Sequence, residues 1–84
     1  MRYISTRGEA PALGFCDTLL SGLARDGGLY VPETWPELSE RTIAGFVGRP
    51  YPEVALEVIR PFVDGEISDA DLARMANEAY ASFR

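Results

Sequence analysis

Gly22-Leu23-Ala24-Arg25-Asp26-Gly27-Gly28-Leu29-Tyr30-Val31-Pro32 is the stretch from which the order of the chain can be read. Upstream, Phe15, Leu19, Leu20 and Leu23 recur at helical spacing, with Asp17 near the positive end of the helix dipole and Arg25 near the negative end. Asp26-Gly27-Gly28 is then expected to stop that helix, because glycine takes the left-handed conformation that satisfies the last helical carbonyls. Leu29-Tyr30-Val31, between the glycines and Pro32, has the β-branched and aromatic character of a short strand.

Working outward, Arg2 to Thr6 alternates around Tyr3 and Ile4 and is stopped by Gly8 and Pro11, so a second short strand is predicted to pair with the first. Downstream, Ser39 is a good N-cap with Glu40 in the first turn, and Ile43, Phe46 and Val47 share one face until Gly48-Arg49-Pro50. Pro52 suits the start of a third helix, in which Val54, Ala55, Val58, Ile59 and Phe62 form a broad stripe expected to be central and well buried. Pro61 removes the backbone bond toward Glu57 and disfavours helical geometry at Arg60, which predicts a kink or an end within a residue or two of Ile59. Ser68 caps the last helix, with Asp69 and Asp71 in its first turn, and Leu72, Met75, Ala76, Ala79, Tyr80 and Phe83 form its stripe. The fold class is therefore mainly α: about four short helices with a small two-stranded β-ribbon in one compact unit, residues 1–84.

Composition narrows the chemistry. The chain has 84 residues, 46% apolar and 25% charged, which suits one small globular core rather than a linker or a disordered tract. It contains neither lysine nor histidine. That removes Ser/His and Cys/His nucleophile pairs, imidazole metal ligands and a lysine Schiff base, so the chain alone is expected to be inactive, with no catalytic, cofactor-binding or metal residues of its own. A net charge of −5 opposes binding to nucleic acid, whose phosphates recruit excess cations. Cys16 has no second cysteine and no cationic neighbour, and is expected to be a small buried hydrophobe. No stretch approaches the ~20 apolar residues of a membrane span, and no apolar leader follows Met1, so no membrane association and a cytoplasmic location are expected.

Several short motifs invite a functional reading. Asp64-Gly65-Glu66-Ile67 resembles the second half of a calcium loop, but with Gly65 at the sixth position the first and third fall on Arg60 and Phe62, which carry no oxygen ligand, and the twelfth on Asp71. A turn followed by an N-cap is the reading that remains. Carboxylate pairs such as Glu66 with Asp69, or Asp17 with Asp26, are expected on a solvated face. Ser5-Thr6-Arg7-Gly8 and Asp26-Gly27-Gly28 combine hydroxyls, a guanidinium and open glycine backbone, groups that can hold a phosphate or carboxylate as well as build turns. Trp35, between Pro32 and Pro36, is expected to pack a loop onto the helices, or else to meet a partner.

Tyr3-x-Ser5-Thr6-Arg7-Gly8, then Gly22 to Pro32, then Ala79-Tyr80-Ala81-Ser82-Phe83-Arg84, resemble the amino-terminal domain of bacterial and fungal threonine synthases. The resemblance spans essentially the whole chain and is most specific in Gly-Leu-Ala-x-Asp-Gly-Gly-Leu-Tyr. It implies a larger pyridoxal 5′-phosphate enzyme of the tryptophan-synthase-β-like fold that converts O-phospho-L-homoserine and water into L-threonine and phosphate. In that family the lysine that holds the cofactor lies downstream, so the resemblance implies a front piece whose partners are the catalytic domains of the same polypeptide. The apolar stripe running to Phe83 agrees with continuation or docking beyond Arg84. Ser5, Thr6, Arg7, Asp26, Gly27 and Gly28 become candidates for lying near substrate. A stand-alone acidic helical interaction module, with no enzymatic activity, is the competing expectation.

Overall fold

The computed structural model describes residues 1–82; the expected place of Phe83 on the last stripe, and Arg84, lie outside them. Strand β1 (Tyr3–Ser5) pairs antiparallel with β2 (Tyr30–Pro32), setting Tyr3 opposite Pro32, Ile4 opposite Val31 and Ser5 opposite Tyr30. The predicted pairing therefore forms, with Pro32 inside the ribbon rather than beyond it. A residue without an N–H is tolerated there because β2 is an edge. On its other side Tyr3 exchanges both backbone hydrogen bonds with Leu13, at 2.8 and 3.0 Å. Period-two alternation buries Tyr3 and Ser5 while Ile4 is half-buried.

Four helices follow the order read from the sequence: α1 (Phe15–Ser21), α2 (Glu40–Ala44), α3 (Tyr51–Val63) and α4 (Asp69–Ala81). Ser39 and Ser68 cap as expected, accepting from the amides of Thr42 and Asp71. The end of α1 differs from expectation. Gly22, at φ 70°, terminates it, so Leu23 lies beyond the helix and Asp26-Gly27-Gly28 builds a separate turn. Helix α2 likewise stops at Ala44, before Phe46, Val47 and the Gly48 signal.

Pro61 does not end α3, which runs on to Val63. A proline in the last turn removes one hydrogen bond only, and that turn is fastened from outside: the Tyr3 hydroxyl donates to the Phe62 carbonyl, and the Asp64 amide to the Arg60 carbonyl. Val63, 1% exposed, anchors the same turn in the core. Asp64 then takes the left-handed conformation at φ 51°, and Arg60 reaches across to Asp69 at 3.1 Å, tying α3 to the start of α4.

The packing is open. Helix α3 packs on α4, and Tyr51 meets Tyr80 edge to face with centroids 4.7 Å apart. Yet Tyr3, Ala24, Val63, Leu72 and Ala76 are the buried hydrophobic residues among those described, and the α3 stripe is only half covered rather than central and well buried. Trp35 packs its loop edge-on against Phe62 of α3 at 6.3 Å, as expected, but it is mostly exposed rather than partly buried. Cys16 is half-buried, not enclosed. The radius of gyration is 14.8 Å, against roughly 12 Å for a compact chain of this length.

Candidate functional site

The six candidate residues come together where the β1 end meets the turn before β2. Asp26 is the hub. Its carboxylate accepts the Ser5 hydroxyl at 2.8 Å on either oxygen, the Gly28 amide at 2.9 Å and the Glu9 amide at 2.9 Å. The Gly28 contact is an Asx-turn, the side chain standing in for a backbone carbonyl two residues earlier. Thr6 Oγ1 accepts from the Leu29 amide at 3.0 Å, and the Thr6 amide donates to the Leu29 carbonyl at 2.8 Å. Arg7 lays its guanidinium over Gly27 and donates to the Asp26 carbonyl at 3.1 Å.

The two glycines serve different needs. Gly27, at φ 84°, makes the turn that only glycine adopts without strain. Gly28 is required for space: a Cβ there would sit 2.3 Å from Ser5 Oγ and 3.0 Å from Asp26 Oδ1. Donors from the Gly28 amide, the Ser5 hydroxyl and the Glu9 amide hold Asp26 ionised below the usual aspartate range, although partial desolvation works against them. The Asp17 and Asp26 pair therefore does not behave as one solvated face.

Chemically this is an anion cradle whose anion is the protein's own carboxylate. The Ser5 hydroxyl and Gly28 amide are engaged by Asp26, which leaves the Arg7 guanidinium and the Thr6 hydroxyl as the side-chain donors facing outward. Arg7 forms no ion pair among the described residues, unlike Arg2, Arg49, Arg60 and Arg74.

Sequence reasoning missed Glu66 and the Glu9 backbone. Glu66 is not on an idle solvated face: from the loop before α4 it accepts the Phe15 amide at 2.6 Å and the Cys16 amide at 3.2 Å, capping α1, whose own Gly14 has no side chain to do so. No local signal announces a cap supplied from fifty residues away. The Asp26 hub, in contrast, was legible in part, since Asp followed by two glycines is an Asx-turn pattern. Among the described residues no group of three or more His, Cys, Asp or Glu is placed to hold a metal ion, and no helix is long and apolar enough to cross a membrane.

The family model for the threonine synthase N terminus matches residues 2–80. This chain belongs to that family. The threonine synthase of Pseudomonas aeruginosa is 59% identical over 83 residues, covering 99% of this chain and 18% of the relative. A crystal structure of the PLP-bound threonine synthase of Brucella melitensis superposes with a TM-score of 0.97 at 57% identity, covering 100% of this chain and 18% of that one. The threonine synthase of Escherichia coli has the same fold at a TM-score of 0.89 and 21% identity, over 96% of this chain and 19% of that one. The chain thus spans about a fifth of the length of these relatives. None of the three relatives is a stand-alone interaction module, the competing expectation.

Proposed function

We propose that residues 1–84 are the N-terminal domain of a cytoplasmic threonine synthase, a pyridoxal-phosphate-dependent lyase that converts O-phospho-L-homoserine and water into L-threonine and inorganic phosphate. The observation that carries this reading is the 59% identity with the Pseudomonas aeruginosa enzyme, sustained over nearly the whole chain. The residues present here do not fit the cofactor. There is no lysine to hold it covalently, and the Ser5 and Gly28 donors that could cradle its phosphate already hold Asp26. The cofactor therefore belongs to the catalytic domains of the same polypeptide, and the role of this segment is structural and docking.

Within that role, Ser5, Thr6, Arg7, Asp26, Gly27 and Gly28 form the part of the domain that approaches substrate. The Asp26 network fixes the backbone, and Arg7, exposed and without a carboxylate partner among the described residues, would meet the substrate phosphate.

The test is to express the full-length protein that carries this N-terminus, supply pyridoxal phosphate and assay threonine and phosphate release from O-phosphohomoserine. Formation of both products supports the reading; a cofactor-loaded, folded protein that makes neither overturns it. In the same enzyme Arg7→Ala should lower kcat/KM roughly tenfold, the loss of about one charge-assisted hydrogen bond. Unchanged kinetics with lowered stability would remove Arg7 from the substrate.

A further inference from the structure

The chain exposes more surface than a folded unit of its size should. Its accessible area is 6062 Å², against about 4,900 Å² expected for a compact protein of 9.2 kDa, a surplus of roughly 1,100 Å². That surplus lies in the range by which one domain packs on another within a chain, roughly 600–1,500 Å². The principal extents, 44 × 30 × 24 Å, describe an elongated body rather than one closed around a core.

Four of the eleven exposed large apolar side chains among the described residues fall at the end of α1 and in the loop before β2. Leu19, Leu20, Leu23 and Leu29 are between 59% and 85% exposed. Leu19 and Leu20 end α1, and Leu23 follows directly after the Gly22 turn. Leu29 is brought back beside Leu23 because the Ala24 amide donates to the Gly28 carbonyl at 2.9 Å, closing the intervening loop. Leu19 and Leu20 in the last turn of α1 are thus followed by Leu23 and Leu29 at the two ends of a loop whose backbone is held by the Asp26 hub and by the Thr6 to Leu29 hydrogen bonds. A rigid apolar surface of this kind, in a domain otherwise rich in charge, is made to be covered. Arg25, exposed between Leu23 and Leu29 in the sequence, forms no ion pair among the described residues and offers one unpaired cation beside the leucines.

We infer that the leucine patch formed by Leu19, Leu20, Leu23 and Leu29 is the surface on which the catalytic part of the same polypeptide docks, through an apolar face with an acidic margin that meets Arg25. The inference rests on the proposed reading of the chain as one domain of a threonine synthase. The occupant is the remainder of that polypeptide because relatives extend over five times this length, and because the surplus area matches an intrachain domain contact.

The experiment is thiol labelling of Leu20→Cys in the full-length protein, with the site resolved by peptide mass so that Cys16 does not interfere. Leu20 is 85% exposed in the domain itself, so the substitution leaves the domain intact. Labelling by a maleimide at least tenfold slower in the native protein than in urea, and independent of protein concentration, is the expected result. Protection below tenfold overturns docking at this patch while leaving the family reading in place. Protection that disappears on dilution, together with a change in mass by light scattering, assigns the patch to a second copy and also overturns it. If the source cell makes only a 9.2 kDa product, the threonine synthase reading fails first and the inference falls with it.

Discussion

The Ser5 hydroxyl lies 2.8 Å from both carboxylate oxygens of Asp26, joining the end of the first strand to a turn twenty-one residues later. Ser5 is buried, and a buried hydroxyl without a partner costs stability. The same oxygen accepts the Arg7 amide at 3.2 Å, so one side chain fixes the course of the chain on either side of it. The position of Arg7 is therefore a consequence of Asp26.

This linkage has a pH signature. Hydrogen bonds from Gly28 and Ser5 depress the Asp26 pKa in the folded chain, so the unfolded chain binds a proton at higher pH than the folded one does. Stability from this group is complete above the ordinary aspartate value of about 3.9 and is lost as pH falls through the lower folded value. Urea midpoints from about pH 6 downward should show a steeper acid decline in the wild type than in Asp26→Asn, which starts less stable at neutral pH. Parallel declines would mean that the network does not hold the carboxylate.

Gly28→Ala and Gly27→Ala should separate two kinds of glycine. The Gly28 methyl meets buried Ser5 Oγ and Asp26 Oδ1, and overpacking of this sort costs about 2 kcal/mol. Gly27→Ala incurs left-handed strain, roughly 1 kcal/mol, and pushes the mobile end of Arg7 aside. Thermal melts should rank Gly28→Ala as the more damaging; the opposite order would place the constraint in the backbone alone.

Cys16 should be a slow nucleophile. Burial and then the Glu66 carboxylate push its thiol pKa up, so little thiolate is present near neutral pH. Alkylation at neutral pH should be slower than for free cysteine, and Glu66→Gln should speed it several-fold while also weakening the α1 cap. An unchanged rate in Glu66→Gln would leave burial and the neighbouring Asp17 carboxylate as the cause.

Tyr3→Phe should cost about 1 kcal/mol, because the Phe62 carbonyl at the end of α3 loses its donor while the ring stays in place 6.2 Å from Phe15. The urea slope should not change, since the surface exposed on unfolding is the same. A loss above about 3 kcal/mol would mean that this bond is what lets α3 continue past Pro61.

By itself the sequence determined the element order and the serine caps, because each rests on neighbours in the chain, the pairing of the two strand-like runs, and, through motifs spread along its length, the family. Ser39 and Ser68 cap amides three residues on, and Asp26 folds back on Gly28, two residues on. Helix ends were less legible: Gly22 terminates α1 ahead of the stronger Asp26-Gly27-Gly28 signal, since any glycine in reach can take the left-handed turn. Pro61 does not end α3, as one of the two expected outcomes had it, because its local penalty is set against contacts from Tyr3, fifty-nine residues away. Tertiary structure alone decided that Glu66 caps α1, that Ser5 and Asp26 close one network, and that the leucines around α1 stay uncovered. Periodicity marks which side chains are apolar, but whether such a face is buried depends on whether another surface reaches it.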